Sequence, residues 1–198
     1  MDDHALVERA RAGDLDAVEA LLSRHQGAAY TAALRLLGEP ADAEDVAQEA
    51  LVKAYTRIAE LRDGAGFAPW LRRIAINLSL NVLRRRGLLQ FESLERPPSG
   101  DDSGGERELA DERQRSLEDE VVSRALREEV QGLLRRLPVE QRVAVVLRDM
   151  YGYDMAEIAD SERCGISAAK MRIARGRAEL RRLLGEVPAS RPREESRP

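Results

Sequence analysis

Polar and basic residues recur at helical spacing in the segment WLRRIAINLSLNVLRRRG, residues 70–87. It carries five arginines and no acidic residue, although the formal net charge of the chain is −4. As a helix, the segment has apolar residues on two sides and a narrow polar strip between them. The strip consists of Trp70, Arg73, Asn77, Asn81 and Arg84. Arginine and asparagine hydrogen-bond well to base edges, so the strip is a candidate nucleic-acid contact. The alternative is a solvated face whose amides make local hydrogen bonds.

A second basic cluster lies at residues 163–182, with seven basic residues and one acid. Asp154 and Glu157, three positions apart, predict a capping box at the start of a short helix, and we expect Ser167 to cap a second, basic helix after a turn. This is the order of a helix-turn-helix, in which the first residues of the second helix meet base edges in the major groove. The basic candidates there are Lys170, Arg172, Arg175 and Arg177. A helical hairpin with a solvated basic face is the alternative.

Helices must position both clusters. Helical periodicity runs over residues 2–87 and again from about residue 121 to residue 184, with Asp14 and Asp42 as predicted N-caps of the second and third helices. Aromatic residues make up only 4 % of the chain, which favours packed helices over sheets. We predict an all-α protein of two small helical domains joined by a flexible linker. The predicted boundaries are 1–87 for the first domain, 88–120 for the acidic linker, 121–185 for the helix-turn-helix domain and 186–198 for a disordered tail.

Several function classes are disfavoured by composition. The single cysteine, Cys164, excludes an intrachain disulfide, and with only His4 and His25 it argues against a zinc site. No glycine-rich phosphate loop or nucleophile with a base is present, so we predict no enzyme, no cofactor and no small-molecule substrate. No apolar run approaches the roughly 20 residues that span a bilayer, and the acidic start lacks signal-peptide character, so we expect a cytoplasmic protein without membrane insertion. Cys164 as a redox sensor is a weaker alternative to inert packing.

Taken together, the two domains resemble the extracytoplasmic-function (ECF) group of bacterial sigma factors. The resemblance is carried by LRLLGEPADAEDVAQEALVKAY (34–55), FAPWLRRIAINLSLNVLRRR (67–86), LRRLPVEQRVAVVLRDMYGYDMAEIA (134–159) and KMRIARGRAEL (170–180). It implies a two-domain all-α factor that binds core RNA polymerase, recognises and melts promoter DNA, and is commonly held by an anti-sigma factor. The helix-turn-helix alone is equally consistent with a stand-alone DNA-binding regulator. The sensor domain of such a regulator would not be expected to resemble the family over residues 34–86.

The resemblance also implies roles for individual residues. The helix over residues 41–55 would dock on the polymerase clamp through Asp45, Gln48 and Glu49, which share one face; a solvated acidic face is the alternative. The polar strip would bind the minus-ten element, with Asn77 contacting a flipped base. The three arginines at the end of the same helix would contact phosphates. Those arginines are Arg84, Arg85 and Arg86. The helix-turn-helix would bind the minus-thirty-five element, and the acidic linker would thread the RNA channel of the polymerase.

The turn of the helix-turn-helix departs from the family pattern. Family members usually have apolar residues near the end of the first helix and a glycine at its close, whereas this chain has ADSERCGIS at residues 159–167. We predict that the helix ends early, after about Asp160, and that Cys164 and Ile166 are buried in its place. With the first helix ending there, the base-reading start of the second helix would fall at residues 167–172. Lys170 and Arg172 would then be the base contacts. Alternatively, the helix ends at the position typical of the family, and the helix-turn-helix packs poorly.

Overall fold

The structure is a computed structural model that describes residues 2–61, 66–89 and 117–186. All regular secondary structure in these ranges is helical, which confirms the all-α prediction. The helices are α1 Asp3–Arg11, α2 Leu15–Leu37, α3 Pro40–Arg57, α4 Phe67–Arg85, α5 Leu117–Arg135, α6 Val139–Val145, α7 Met155–Glu162 and α8 Ile166–Glu186. A short 3-10 turn follows α3, and a π-helical turn continues α6. Most of the predicted linker and nearly all of the predicted tail lie outside the described residues.

The N-terminal domain consists of α1–α4, with α2 packed against the other three helices. Asp14 caps α2 as predicted, because its side chain accepts a hydrogen bond from the backbone N–H of Ala17 (3.2 Å). The predicted cap at Asp42 is wrong, since α3 begins at Pro40 with Glu39 in the N-cap position, three residues before Asp42. Proline suits this position because its φ is already helical and its missing N–H would have no partner in the first turn. Asp42 lies inside that turn and pairs with Arg86 instead.

Helix α4 is buried on two sides, as its residue pattern predicts. The buried apolar residues between its start and its last turn are Phe67, Leu71, Ile74, Ala75, Ile76, Leu78, Leu80 and Leu83. Burying a leucine or isoleucine side chain contributes about 1.5–3 kcal/mol, so these contacts fix the rotation of α4 about its axis. Asn77 and Asn81 remain exposed between the two buried sides.

The C-terminal domain is built around the packing of α8 against α6 and α7. The predicted capping box of α7 is present, because Asp154 and Glu157 each accept a hydrogen bond from the other's backbone N–H (2.8 and 2.7 Å). Gly176 allows α8 to approach α6 closely. A Cβ atom there would lie 2.7 Å from Cγ2 of Val145 and 3.1 Å from the carbonyl oxygen of Gln141.

The end of α7 differs from the prediction. The helix does not stop near Asp160 but continues to Glu162, and Arg163 closes it in the left-handed conformation with φ 49°. A glycine adopts this conformation without steric cost, whereas an arginine does so only where its surroundings hold it. The family register is therefore kept, with a charged residue, Glu162, buried where an apolar one was expected.

The start of α8 also requires a correction. Cys164 is buried as predicted, but Ile166 is 49 % exposed, so its predicted burial in the turn is wrong. Because α8 begins at Ile166, Ser167 lies inside the first turn rather than at the cap. Of the two apolar side chains in this turn, Cys164 is therefore the buried one, and Ile166, the first residue of α8, lies at the surface.

Candidate nucleic-acid interface

The polar strip of α4 presents two exposed amides, Asn77 and Asn81, on a rigid helix. At its N-terminal end Trp70 is half-buried, with its ring centroid 5.9 Å from that of Phe67, and Arg73 is half-buried one turn further on. Aromatic, amide and guanidinium groups thus follow one another along a single line. Such a line offers stacking, base-edge hydrogen bonds and phosphate contacts.

The three predicted phosphate contacts lie at the C-terminal end of α4, in three different environments. Arg85 is exposed. Arg86 forms a two-point ion pair with Asp42, in which Nη2 lies 2.8 Å from Oδ1, and this hydrogen bonding lowers the pKa of the Asp42 carboxyl. Arg84 is half-buried; it donates to Oδ1 of Asn81 (2.5 Å), and its Nε atom is buried without a hydrogen-bond partner among the described residues. Burial, together with the nearby charge of Arg163, lowers the pKa of Arg84.

A second surface lies on α3. The predicted residues Asp45, Gln48 and Glu49 are all exposed. Sequence reasoning missed Val52 and Tyr55, which are 63 % and 50 % exposed and continue the same face one and two turns further on. The sequence pattern does indicate that these two residues are exposed, because both fall outside the apolar stripe that α3 buries. This stripe is made of Ala43, Val46, Ala47, Ala50 and Ala54. The face therefore combines acidic, amide and apolar groups.

The exposed face of α8 carries most of the predicted residues of the helix-turn-helix. Ser167, Lys170 and Arg175 are exposed there, and Met171, which sequence reasoning did not single out, is 50 % exposed beside them. Arg177 is exposed as well, but it pairs with Asp149 through an Nε–Oδ2 hydrogen bond of 3.0 Å.

Arg172 does not lie on this face. Its side chain is only 11 % exposed and donates to Oε2 of Glu162 (2.7 Å) and to Oε1 of Glu140 (3.3 Å). It thereby joins α8 to α7 and α6. The Glu162 side chain is fully buried, its Oε1 atom has no hydrogen-bond partner in the described part of the chain, and burial raises its pKa to about 7 despite the pairing with Arg172. The thiol of Cys164 lies 3.9 Å from Oε2 of Glu162.

The described helices offer neither a membrane span nor a metal site. None of them is long and apolar enough to cross a membrane. The described histidine, cysteine, aspartate and glutamate residues form no group of three or more that could hold a metal ion.

Two family models match the chain in the two domains. The model for Sigma-70 region 2 matches residues 21–88, and the model for Sigma-70, region 4 matches residues 127–180. The first match contains α3 and α4 with both candidate surfaces, and the second contains the helix-turn-helix.

Similar proteins match nearly the whole chain. The RNA polymerase sigma-H factor of Pseudomonas aeruginosa is 34 % identical over 188 residues, covering 92 % of this chain and 93 % of that protein. The ECF RNA polymerase sigma-E factor of Escherichia coli strain K12 is 33 % identical over 190 residues, covering 91 % and 93 %. The solved structure of CnrH in complex with the cytosolic domain of CnrY shares the fold, with a TM-score of 0.50 at 24 % identity over 92 % of this chain and 97 % of that chain.

The fold and the two matched regions define an RNA polymerase sigma factor, with region 2 and region 4 as separate helical domains. The chain belongs to the ECF group of these factors. It binds core RNA polymerase and directs promoter-specific initiation of transcription.

Proposed function

We propose that the polar strip of α4 binds the unwound strand of the minus-ten element, with Asn77 contacting a base that has left the stack. The observation that carries this proposal is the exposure of Asn77 and Asn81 on a helix buried on both other sides. A rigid support matters here, because flipping a base costs a few kcal/mol, which well-placed hydrogen bonds and stacking must offset. Trp70 and Arg73 would extend the same line of contacts, and the exposed Arg85 would hold a phosphate.

Asn77→Ala is expected to lose roughly 1–3 kcal/mol of discrimination at one position of the minus-ten element, as a base-edge contact would. Arg85→Ala is the matched control on the same helix. It should weaken binding to all sequences alike and reduce the salt slope by about 1. Competition between single-stranded minus-ten oligonucleotides, with the chain bound to core polymerase, measures both. Sequence-independent weakening by Asn77→Ala would contradict the base contact.

The exposed face of α3 is proposed as the surface that docks on core polymerase. Asp45, Gln48 and Glu49 supply polar contacts, and the exposed Val52 and Tyr55 supply apolar area that desolvates on binding. An aromatic residue flanked by polar groups is typical of the residues that dominate binding energy at interfaces.

Replacing Asp45, Gln48 and Glu49 together with alanine is expected to weaken core binding on the order of tenfold to a hundredfold, about 1.4–2.7 kcal/mol. Helical content should not change, because all three side chains are exposed. The double variant Asp16→Ala, Glu19→Ala is the control, since it removes two exposed negative charges from α2 as the triple variant does from α3. Co-purification with core polymerase and circular dichroism are measured in parallel. Equal core affinities for the two variants would contradict this docking surface.

The exposed face of α8 is proposed to bind the minus-thirty-five element as duplex DNA. Ser167 and Lys170 lie in the first turns of the helix, where a helix-turn-helix reaches base edges, and Arg175 and Arg177 follow for phosphates. Met171 adds an apolar contact for a thymine methyl group. The buried position of Arg172 supports a positioning role, in which it holds α8 against α6 and α7.

The remaining roles follow from membership of the ECF group. We propose residues 1–87 as the polymerase and minus-ten domain, 121–185 as the minus-thirty-five domain, and the acidic linker between them as an occupant of the RNA channel. The chain would act in the cytoplasm as a transcription factor without enzymatic activity of its own.

An anti-sigma factor is a further proposed partner, because the α3 face and the two domains joined by a linker offer it accessible surfaces. We expect a small protein, often membrane-tethered, to bind this chain with a stoichiometry of one to one. Pull-down from native cells with the full chain as bait, followed by mass spectrometry, measures this. Recovery of polymerase subunits alone would count against an anti-sigma factor.

A further inference from the structure

One arginine in each candidate DNA surface is already paired with a carboxylate of its own domain. Arg86, at the end of α4, donates through Nη1 and Nη2 to the two carboxylate oxygens of Asp42 (2.5 and 2.8 Å). Arg177 of α8 donates to the two carboxylate oxygens of Asp149, through Nε (3.0 Å) and through Nη2. A guanidinium binds a phosphate by the same two-point geometry. In both pairs a carboxylate therefore occupies donors that a phosphate would use.

The aspartate is the more buried partner in each pair. The side chains of Asp42 and Asp149 are 21 % and 34 % exposed, whereas those of Arg86 and Arg177 are 49 % and 47 % exposed. The guanidinium is thus the partner that an approaching phosphate meets first. An aspartate that stays beside it would then lie close to the phosphate, and like charges at that separation repel each other.

Two helix ends stabilise the pair of Asp42 with Arg86. Asp42 lies in the first turn of α3, and Arg86 is the C-cap residue of α4. An anion at a helix N-terminus and a cation at a helix C-terminus both interact favourably with the helix dipole. The hydrogen bonds from Arg86 also lower the pKa of the Asp42 carboxyl, so the carboxyl is ionised at neutral pH.

A nearby arginine in each surface has no such partner. Arg85 precedes Arg86, and Arg175 lies two positions before Arg177. Both Arg85 and Arg175 are exposed, and neither has a carboxylate partner among the residues that the structure describes. Each surface thus combines one arginine whose charge is available with one whose charge is balanced within the domain.

We propose that Asp42 and Asp149 compete with DNA phosphates for Arg86 and Arg177, and so lower the part of the DNA affinity that does not depend on sequence. The inference rests on the proposed function, because it requires both arginines to lie beside phosphates. Phosphate contacts position a protein on DNA and carry no sequence information directly. The base contact proposed for Asn77 involves neither pair, so discrimination between bases should not depend on the two aspartates.

Asp42→Asn tests the first pair in the full chain bound to core polymerase, because asparagine keeps the shape of the side chain and removes its charge. Affinity for single-stranded minus-ten oligonucleotides should rise about twofold to fivefold, by a similar factor for all sequences. The salt slope should steepen by up to about 0.7, the contribution of one phosphate of a single strand. Discrimination at the position contacted by Asn77 should not change. Competition binding at several salt concentrations measures all three quantities.

Asp149→Asn tests the second pair on duplex fragments that contain the minus-thirty-five element, or a scrambled sequence in its place, again with the chain bound to core polymerase. Both fragments should be bound about twofold to fivefold more tightly than by the unmodified chain. The salt slope should steepen by up to about 0.9, as expected for one phosphate of a duplex. Circular dichroism should show unchanged helical content in both aspartate variants, because neither aspartate belongs to the buried core.

Arg86→Ala and Arg177→Ala complete a double-mutant cycle for each pair. Without the arginine, the aspartate substitution should give no gain in affinity, because no guanidinium is left to release. A gain that persists without the arginine would overturn the competition, since it would reflect the loss of one negative charge alone. Unchanged affinity in the aspartate variant would overturn the competition for that pair. Weaker binding would overturn it as well, because the aspartate would then orient its arginine towards the phosphate.

The same cycle separates this inference from the proposed function. If the arginine substitution weakens binding in the asparagine variant, but that variant shows no gain of its own, the phosphate contact stands and the competition is overturned. If the arginine substitution has no effect with either aspartate or asparagine present, the proposed phosphate contact fails, and the competition fails with it.

Discussion

Arg172→Ala is expected to destabilise the C-terminal domain by about 3–5 kcal/mol, because it leaves the carboxylate of Glu162 buried without its cation. The Glu162 side chain is fully buried and 2.7 Å from Nη1 of Arg172. Chemical unfolding at pH 8, followed by far-ultraviolet circular dichroism, measures the free energy of unfolding. Arg177→Ala is the control on the same helix. Its pair with Asp149 is exposed to solvent, so its loss should cost no more than about 1 kcal/mol.

The double variant Glu162→Leu, Arg172→Met tests the same pair from the other direction. Replacing a buried ion pair by apolar residues of similar volume is often neutral or stabilising, so this variant should fold at least nearly as well as the unmodified chain. It also separates two roles for Arg172. A positioning role predicts an unchanged minus-thirty-five preference, whereas the base contact predicted from the sequence requires that preference to relax. Equal losses of stability in Arg172→Ala and Arg177→Ala would contradict the buried pair.

The second large effect is a pH dependence of stability that originates at Glu162. Burial raises the pKa of this carboxyl from 4.5 to about 7 in the folded chain. Below pH 4.5 the group is protonated in both the folded and the unfolded states. Between pH 4.5 and about 7 it is ionised only in the unfolded chain, so raising the pH favours unfolding. We expect a loss of up to about 3 kcal/mol by pH 8.

Glu162→Gln isolates this contribution, because glutamine keeps the shape of the side chain and does not titrate. The free energy of unfolding is measured at pH 5, 6, 7 and 8 for both chains, and the difference between the two profiles is the quantity of interest. The unmodified chain should lose stability over this range relative to the variant. Parallel profiles would contradict the buried, proton-binding carboxyl.

Much of the fold was predictable from the sequence because local patterns determine it. The two apolar sides of residues 70–87 predict both the burial of α4 and the exposure of Asn77 and Asn81. The pairing of Asp154 with Glu157 predicts the start of α7, because a capping box needs only residues three positions apart.

The end of α7 was not predictable in this way. Glutamate is ordinarily a surface residue, so its sequence position alone does not indicate burial. What permits the burial of Glu162 is Arg172, ten positions away on the next helix. The same holds for Arg142, whose acceptors lie more than 100 positions away at the end of α2. Ile166 was predicted in the core on hydrophobicity alone, but it is 49 % exposed, because hydrophobicity does not determine which apolar residue of a turn is buried.

The most direct test of the central claim is run-off transcription with purified core RNA polymerase, this chain and a library of genomic fragments. Core polymerase alone should give no discrete run-off products, and addition of the chain should give products from a small set of promoters. These promoters should share one minus-ten and one minus-thirty-five sequence, and the Asp45, Gln48, Glu49 triple-alanine variant should give weaker products from the same set. Binding of the chain to DNA fragments without any polymerase-dependent transcript would contradict the account and favour a stand-alone DNA-binding regulator.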